Sequence, residues 1–196
     1  MNIGKALFAV VATTLLLFGT PARALVLNPG DMIPGHSFGP RNCEPGCIYD
    51  AFGLASDPSL ALLYKAEWGF DRELEIPLVR EEGSFAGWYS TTFSNTARDP
   101  SNALIEQEGA GNINCPECYL AVKDGNASPG YYFYNLASWD GMEDIRLENF
   151  WPNQGAISHV SIWGRNATSV SEPTPLTLMG ISLLVMGIVM KGRRRV

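Results

Sequence analysis

Tyr119-Leu120-Ala121-Val122-Lys123, then Asp124-Gly125-Asn126, then a return through Tyr131-Tyr132-Phe133-Tyr134-Asn135-Leu136, reads as a β-hairpin. The arms are aliphatic and aromatic, and Asp-Gly-Asn supplies residues that tolerate the backbone of a tight turn. Alternate side chains of a strand point to opposite sides, so Tyr132 and Tyr134 face one way and Tyr131 and Phe133 the other. One row must line a core. The other is either an ordinary cross-strand cluster or an aromatic platform.

The same period of two extends to both sides of the hairpin. Leu60, Leu62, Tyr64, Ala66 and Trp68 alternate with Ala61, Leu63, Lys65 and Glu67. Leu74, Ile76 and Leu78 alternate with Glu73, Glu75 and Pro77, where the proline predicts an edge strand. Residues 84–93 are rich in aromatics and threonine, and 144–147 and 157–164 complete the set. In the last of these Ile157, His159, Ser161 and Trp163 are expected on one face. No sustained helical period interrupts residues 25–170, although 57–63 is a competing helical start. Short strands at this spacing predict an all-β domain over 25–164, an antiparallel β-sandwich of seven or eight strands, jelly-roll-like.

The two ends differ from this domain. Lys5 followed by an uncharged, mostly apolar run over 6–18, then Ala22-Arg23-Ala24, has the three parts of a secretory signal peptide. Signal peptidase takes small side chains at the positions of Ala22 and Ala24, so cleavage is expected before Leu25, making 1–24 the signal peptide. The apolar run is about 13 residues, short of the ~20 that span a bilayer. A second apolar stretch, 176–190, precedes Lys191, Arg193, Arg194 and Arg195. As a helix it rises about 22 Å against a hydrocarbon core of about 30 Å, a short transmembrane span helped by snorkelling basic residues. The basic tail 191–196 is expected in the cytoplasm and everything before 176 outside.

Between domain and span lies a linker, 165–175, containing Ser171-Glu172-Pro173-Thr174-Pro175. With the apolar run and Arg193-Arg194-Arg195 behind it, this segment resembles a PEP-CTERM sorting signal. Glu172 and Pro173 match the core of that signal, and Ser171 stands where the family has its first proline. The resemblance implies a Gram-negative bacterium that makes exopolysaccharide. It implies an exosortase that processes the tail, an inner-membrane intermediate, and delivery to the cell surface or extracellular matrix. Lys123-Asp124-Gly125, Tyr131-Tyr132-Phe133, Trp139, Phe150-Trp151-Pro152 and the run from Gly155 to Gly164 also resemble the ectodomain ending of many PEP-CTERM proteins. That likeness implies a β-sandwich and carries no chemistry.

Charge narrows the partners. Of 14 basic residues 8 fall within 25–170, and of 20 acidic residues 19 do, a balance of 8 − 19 = −11. Phosphate backbones demand basic patches, so nucleic acid is excluded as a partner. Four cysteines form two close pairs, Cys43 with Cys47 and Cys115 with Cys118. Export predicts disulfides, in any of three connectivities, with the Pro-Gly turn favouring a local Cys43–Cys47 bridge. A four-thiolate zinc site and a Cys-x2-Cys redox pair are the alternatives.

No nucleophile elbow, zinc-protease helix or phosphate loop appears, and His36 and His159 are the only histidines. His159, inside an apolar strand, is expected to be a hydrogen-bonded packing residue. Glu73 with Glu75 and Glu81 with Glu82 read as a solvated face. Asp124-Gly125-Asn126 and Asp140-Gly141-Met142-Glu143-Asp144 put oxygen ligands on turns, as calcium sites and Asx turns both do. The expectation is therefore a non-catalytic envelope or matrix protein, with no cofactor and no metal. A carbohydrate-binding module for the cell's own exopolysaccharide is the alternative, with Tyr132, Tyr134 and Trp139 as candidate sugar contacts. A secreted hydrolase is the third reading.

Overall fold

The computed structural model describes residues 24–32, 42–55, 60–151, 155–165 and 167–171. These form an all-β unit built on two main sheets. The four-stranded sheet has the order β1 (Ala24–Leu27), β9 (Asp144–Leu147), β5 (Asn102–Gln107), β4 (Tyr89–Ser94). The five-stranded sheet has the order β3 (Ile76–Glu82), β2 (Ala61–Asp71), β10 (Ile157–Arg165), β7 (Glu117–Asp124), β8 (Tyr131–Asn135). A separate ribbon pairs β6 (Gly111–Asn114) with β11 (Thr168–Ser171).

Pairing is antiparallel throughout the five-stranded sheet. It is not so everywhere, because β1 runs parallel to β9, with Ala24 opposite Asp144. Part of the expected linker is a strand: β11 places Ser171 opposite Gly111. The segment considered as a helical start over 57–63 enters β2 instead from Ala61 onward.

Strands β10, β7 and β8 of the five-stranded sheet are buried on both faces, while β3 at its edge is exposed. Leu120, Val122, Tyr134, Val160 and Ile162 face the other sheet, meeting Ala103, Ile105, Ile145 and Leu147 in the main core. On the opposite face Tyr119, Ala121, Tyr131 and Phe133 pack under a helix, α1 (Gly46–Phe52), through Cys47, Ile48 and Ala51. That helix has only seven residues and ends at Gly53 in the left-handed conformation (φ 61°). Two turns give too short a stretch for the 3.6-residue period to emerge from sequence. It explains why β7 reads as a continuous apolar run, the pattern of a strand covered twice.

Two irregularities redistribute the expected faces. Along the β2–β10 ladder Ile162 faces Tyr64 and Trp163 faces Leu62, so Leu63 is an extra residue, a β-bulge. Leu63 and Tyr64 both reach the main core, while Leu60 goes to the helix side. The expected single row from Leu60 to Trp68 is thereby split, and only Tyr64, Ala66 and Trp68 keep a common face. A second shift between Ile157 and His159 sends Ile157 into the main core and leaves His159, Ser161 and Trp163 toward the helix.

Tyr64 also ties the sheets together at one side. Its hydroxyl donates to Glu81 Oε1 on β3 (2.8 Å) and lies 2.8 Å from Thr91 Oγ1 on β4, while the Thr91 N–H donates to the same carboxylate at 3.1 Å. Glu81 is thus a bridge between sheets, unlike the solvated residue expected. Glu82 instead pairs with Lys65 at 3.0 Å.

Candidate functional site

The residues expected to bind sugar lie elsewhere than on a surface. Both rows of β8 are core: Tyr131 and Phe133 under the helix, Tyr134 in the main core. Tyr134 is 3% exposed and Trp139 6%. The Tyr134 hydroxyl donates to the Asn28 carbonyl at 2.8 Å, and burial pushes it well above the ordinary phenol range. Trp139 donates through Nε1 to the Glu143 carbonyl at 2.6 Å and packs against Tyr89, 5.8 Å between ring centres. Tyr132 is half-buried, its ring against Trp151 (4.8 Å) and Phe150 (5.4 Å). The helix covers Tyr131 and Phe133, and the facing sheet buries Tyr134 and Trp139 in the main core, so the sugar assignment of Tyr134 and Trp139 is corrected: neither offers an open ring face.

The cysteines form two local disulfides, Cys43–Cys47 and Cys115–Cys118. The first lies in the cluster under α1 and the second in the main core, so four sulfurs do not converge on one ion. Cys118 opens a strand, not the helix a redox pair uses. Both candidate calcium turns are occupied by their own amides. Asp124 accepts the Asn126, Ala127 and Ala156 N–H groups, and Asp140 Oδ1 accepts Met142 and Glu143 N–H at 2.8 and 2.9 Å. His159, 4% exposed, sits with Nε2 3.1 Å from Glu44 Oε2, a packing role within a polar cluster.

Ala24 and Leu25 begin β1. Ala22, His36, Glu172, Pro173, Thr174, Arg193, Arg194 and Arg195 lie outside the described residues, as does the span 176–190. Among the described residues no helix is long and apolar enough to cross a membrane.

An open groove lies where the end of β2 faces the loop after β4 and the turn after β7. Tyr64 and Ala66 on the inner face of β2 are buried, but Trp68 and Phe70, next on that face, extend past the core and stay half-buried. Their rings stack at 6.4 Å with an interplanar angle of 30°. They border two adjoining hollows of about 1070 and 590 Å³ that share Trp68, Arg98 and Asp99. The larger runs on past Asn126 and Trp151, and the smaller is closed by Arg72.

The rim is fixed by its own hydrogen bonds. In the loop after β4, Thr96 Oγ1 donates to the Asp99 carbonyl (2.6 Å) and accepts from the Asp99 N–H (3.1 Å). Across the groove, Asp124 ties the 124–127 turn to Ala156, and Trp151 Nε1 donates to the Pro129 carbonyl at 2.8 Å. Arg98 lies over the Phe70 ring, 5.2 Å from its centre, and 3.5 Å from Glu75 Oε1. An aromatic shelf with a pre-ordered polar rim suits a ring with apolar C–H faces and hydroxyl edges. From sequence, Trp68 closed the alternating row that starts at Leu60, but Phe70, Arg72 and Arg98 carried no signal beyond the i, i+2, i+4 spacing of Trp68, Phe70 and Arg72.

Comparison with protein-family models, with curated proteins and with solved structures gives no match to this chain.

Proposed function

We propose that this chain is an exported, non-catalytic protein of the cell envelope or exopolysaccharide matrix, sorted by exosortase through its PEP-CTERM-like tail. One observation carries the reading: a signal-like start, a disulfide-bearing β domain, Ser171-Glu172-Pro173-Thr174, an apolar run and three arginines follow one another in the order export requires. The connections that pass the chain between the two sheets, as from β8 to β9 to β10, support a jelly-roll-like sandwich as the exported scaffold. The test is the intact mass of the protein recovered from envelope and medium. The expected product starts at Leu25 and lacks the apolar run after Thr174. A species still ending at Val196 in every fraction overturns the sorting reading and leaves a tail-anchored membrane protein.

A second reading, a carbohydrate-binding module for the cell's own exopolysaccharide, is favoured by the groove at Trp68 and Phe70. Retention of the protein on the purified polysaccharide, lost in Trp68→Ala, is its signature. Unchanged retention in that variant would move the sugar contact away from the groove.

A further inference from the structure

We infer that the groove takes an acidic saccharide, its ring on Trp68 and its carboxylate between Arg72 and Arg98; this rests on the carbohydrate reading of the groove. The placement of positive charge carries the argument. Residues 25–170 hold only eight basic side chains against 19 acids. Lys65 is held by Glu82, Lys123 is buried with its Nζ on the Asp124 carbonyl, and Arg165 donates to the Ala55 carbonyl. Two of the eight, Arg72 and Arg98, line the same small hollow beside the aromatic pair. Arg80 and Arg146 are exposed but line neither hollow; in a domain this acidic most of the surface repels an anionic polymer, so a site with two arginines selects the docking position as well as the ligand.

Arg98 has a partner that a ligand displaces at small cost. Its contact with Glu75 is 3.5 Å long, with the two side chains 69% and 75% exposed. Ion pairs of that kind are screened by solvent and contribute little. A uronate carboxylate accepting both N–H groups of the guanidinium fork makes a shorter, bidentate contact. Meanwhile Arg98 lies over the Phe70 ring, 5.2 Å from its centre, which holds the guanidinium beside Trp68. Asp99 and Asn126 on the rim offer hydrogen bonds to hydroxyls.

The experiment is binding of the full-length chain in detergent micelles to three probes: oligogalacturonate, a neutral glucan of equal length, and polyglutamate. Oligogalacturonate is expected to bind at least about tenfold more tightly than the glucan, with polyglutamate weakest. Trp68→Ala should weaken both sugars by about tenfold or more, the usual worth of a lost stacking contact. The double variant Arg72→Gln with Arg98→Gln should lower affinity for oligogalacturonate alone. Both positions are exposed, and an unchanged melting temperature keeps the comparison clean. Equal binding of the two sugars, lost only in Trp68→Ala, overturns the acidic preference and leaves the carbohydrate reading intact. Binding of polyglutamate as tight as oligogalacturonate reduces the site to a charge contact and overturns the inference. Failure to bind either sugar overturns both readings.

Discussion

The Ser161 hydroxyl donates to the carboxylate of Glu44 at 2.7 Å, joining strand β10 to the turn ahead of α1 across 117 residues of chain. The other carboxylate oxygen lies 3.1 Å from His159 Nε2, and Trp163 Nε1 donates to the same Ser161 oxygen at 3.0 Å. A buried polar cluster of this kind orients the elements it joins and is costly to break, because each group left behind has lost its water as well. Glu44→Ala is therefore expected to destabilise the protein by about 2–4 kcal/mol, and Glu44→Gln, which keeps an acceptor, by about half of that. Urea unfolding midpoints at constant slope check the ranking.

Gly83 sits where β3 turns back past the bulge at Leu63. Its φ is +113°, and a Cβ there would stand 2.6 Å from the Leu63 carbonyl oxygen and 3.0 Å from Tyr64 Cα. Both obstacles are backbone, so neither yields cheaply. Gly83→Ala should cost about 2–3 kcal/mol, whereas Gly87→Ala, with nothing within 4 Å, should stay within about 0.5 kcal/mol of wild type. Parallel thermal melts of the two variants decide whether the bulge is a fixed feature.

Tyr89 makes stability fall at high pH. Its hydroxyl donates to the Gly141 carbonyl at 2.6 Å and accepts from the Ile113 N–H at 2.8 Å. Burial pushes it up to about 12 from the ordinary 10.0, helped by Asp140 nearby and opposed by the Ile113 bond. The folded state then keeps a proton that the unfolded chain releases. The resulting stabilisation is complete below pH 10 and is lost as pH rises toward 12. Burial also raises Tyr64, Tyr119, Tyr131, Tyr132 and Tyr134. Their tyrosinate absorbance should appear together with the loss of near-ultraviolet circular dichroism. Smooth ionisation with the dichroism intact would contradict this.

Each disulfide closes a very short loop, so the entropy it removes from the unfolded chain is small. Replacing Cys115 and Cys118 together by alanine should cost about 2 kcal/mol from chain entropy, with added loss from the core they fill. The native protein should show no reactive thiol, and reduction after unfolding should add one hydrogen to each of the four cysteines by mass. A free thiol in the folded protein would contradict the pairing.

Sequence revealed the strands whose faces differ in polarity and missed those whose environment is unusual. The 119–136 hairpin is present, with Tyr132 opposite Val122 and Tyr134 opposite Leu120, though its loop is longer than Asp-Gly-Asn alone. Pro77 does lie on an edge strand. β1, β6 and β11 have four residues each; β1 is apolar throughout and β6 and β11 carry a single aliphatic residue each, so none shows the alternation that the equally short β9 shows with Ile145 and Leu147. The bulge at Leu63 adds one residue to β2, and a single insertion reverses every face beyond it. Trp68 stays on the face of Tyr64 and Ala66, so it reads as one more core residue in sequence, and it stands over the groove because β2 runs on past the end of the core. The aromatic platform was sought on β8 because its rows looked equivalent; α1, invisible by periodicity, covers one of them.

Under the export reading, the parallel pairing of Leu25 with Ile145 sets an order of events for a chain that would cross a membrane from its beginning. Strand β1 is made first, yet its partner lies 120 residues later, and it docks at the outer edge of the four-stranded sheet. During threading it has nothing to pair with until β9 arrives. Under the export reading, the junction before Leu25 therefore stays extended and available to signal peptidase for most of translocation. Once β9 is across, the newly freed end zips onto it and the last open ladder of that sheet closes. On that reading maturation and completion of the fold would be one timed step, with the earliest residues out being the latest to settle.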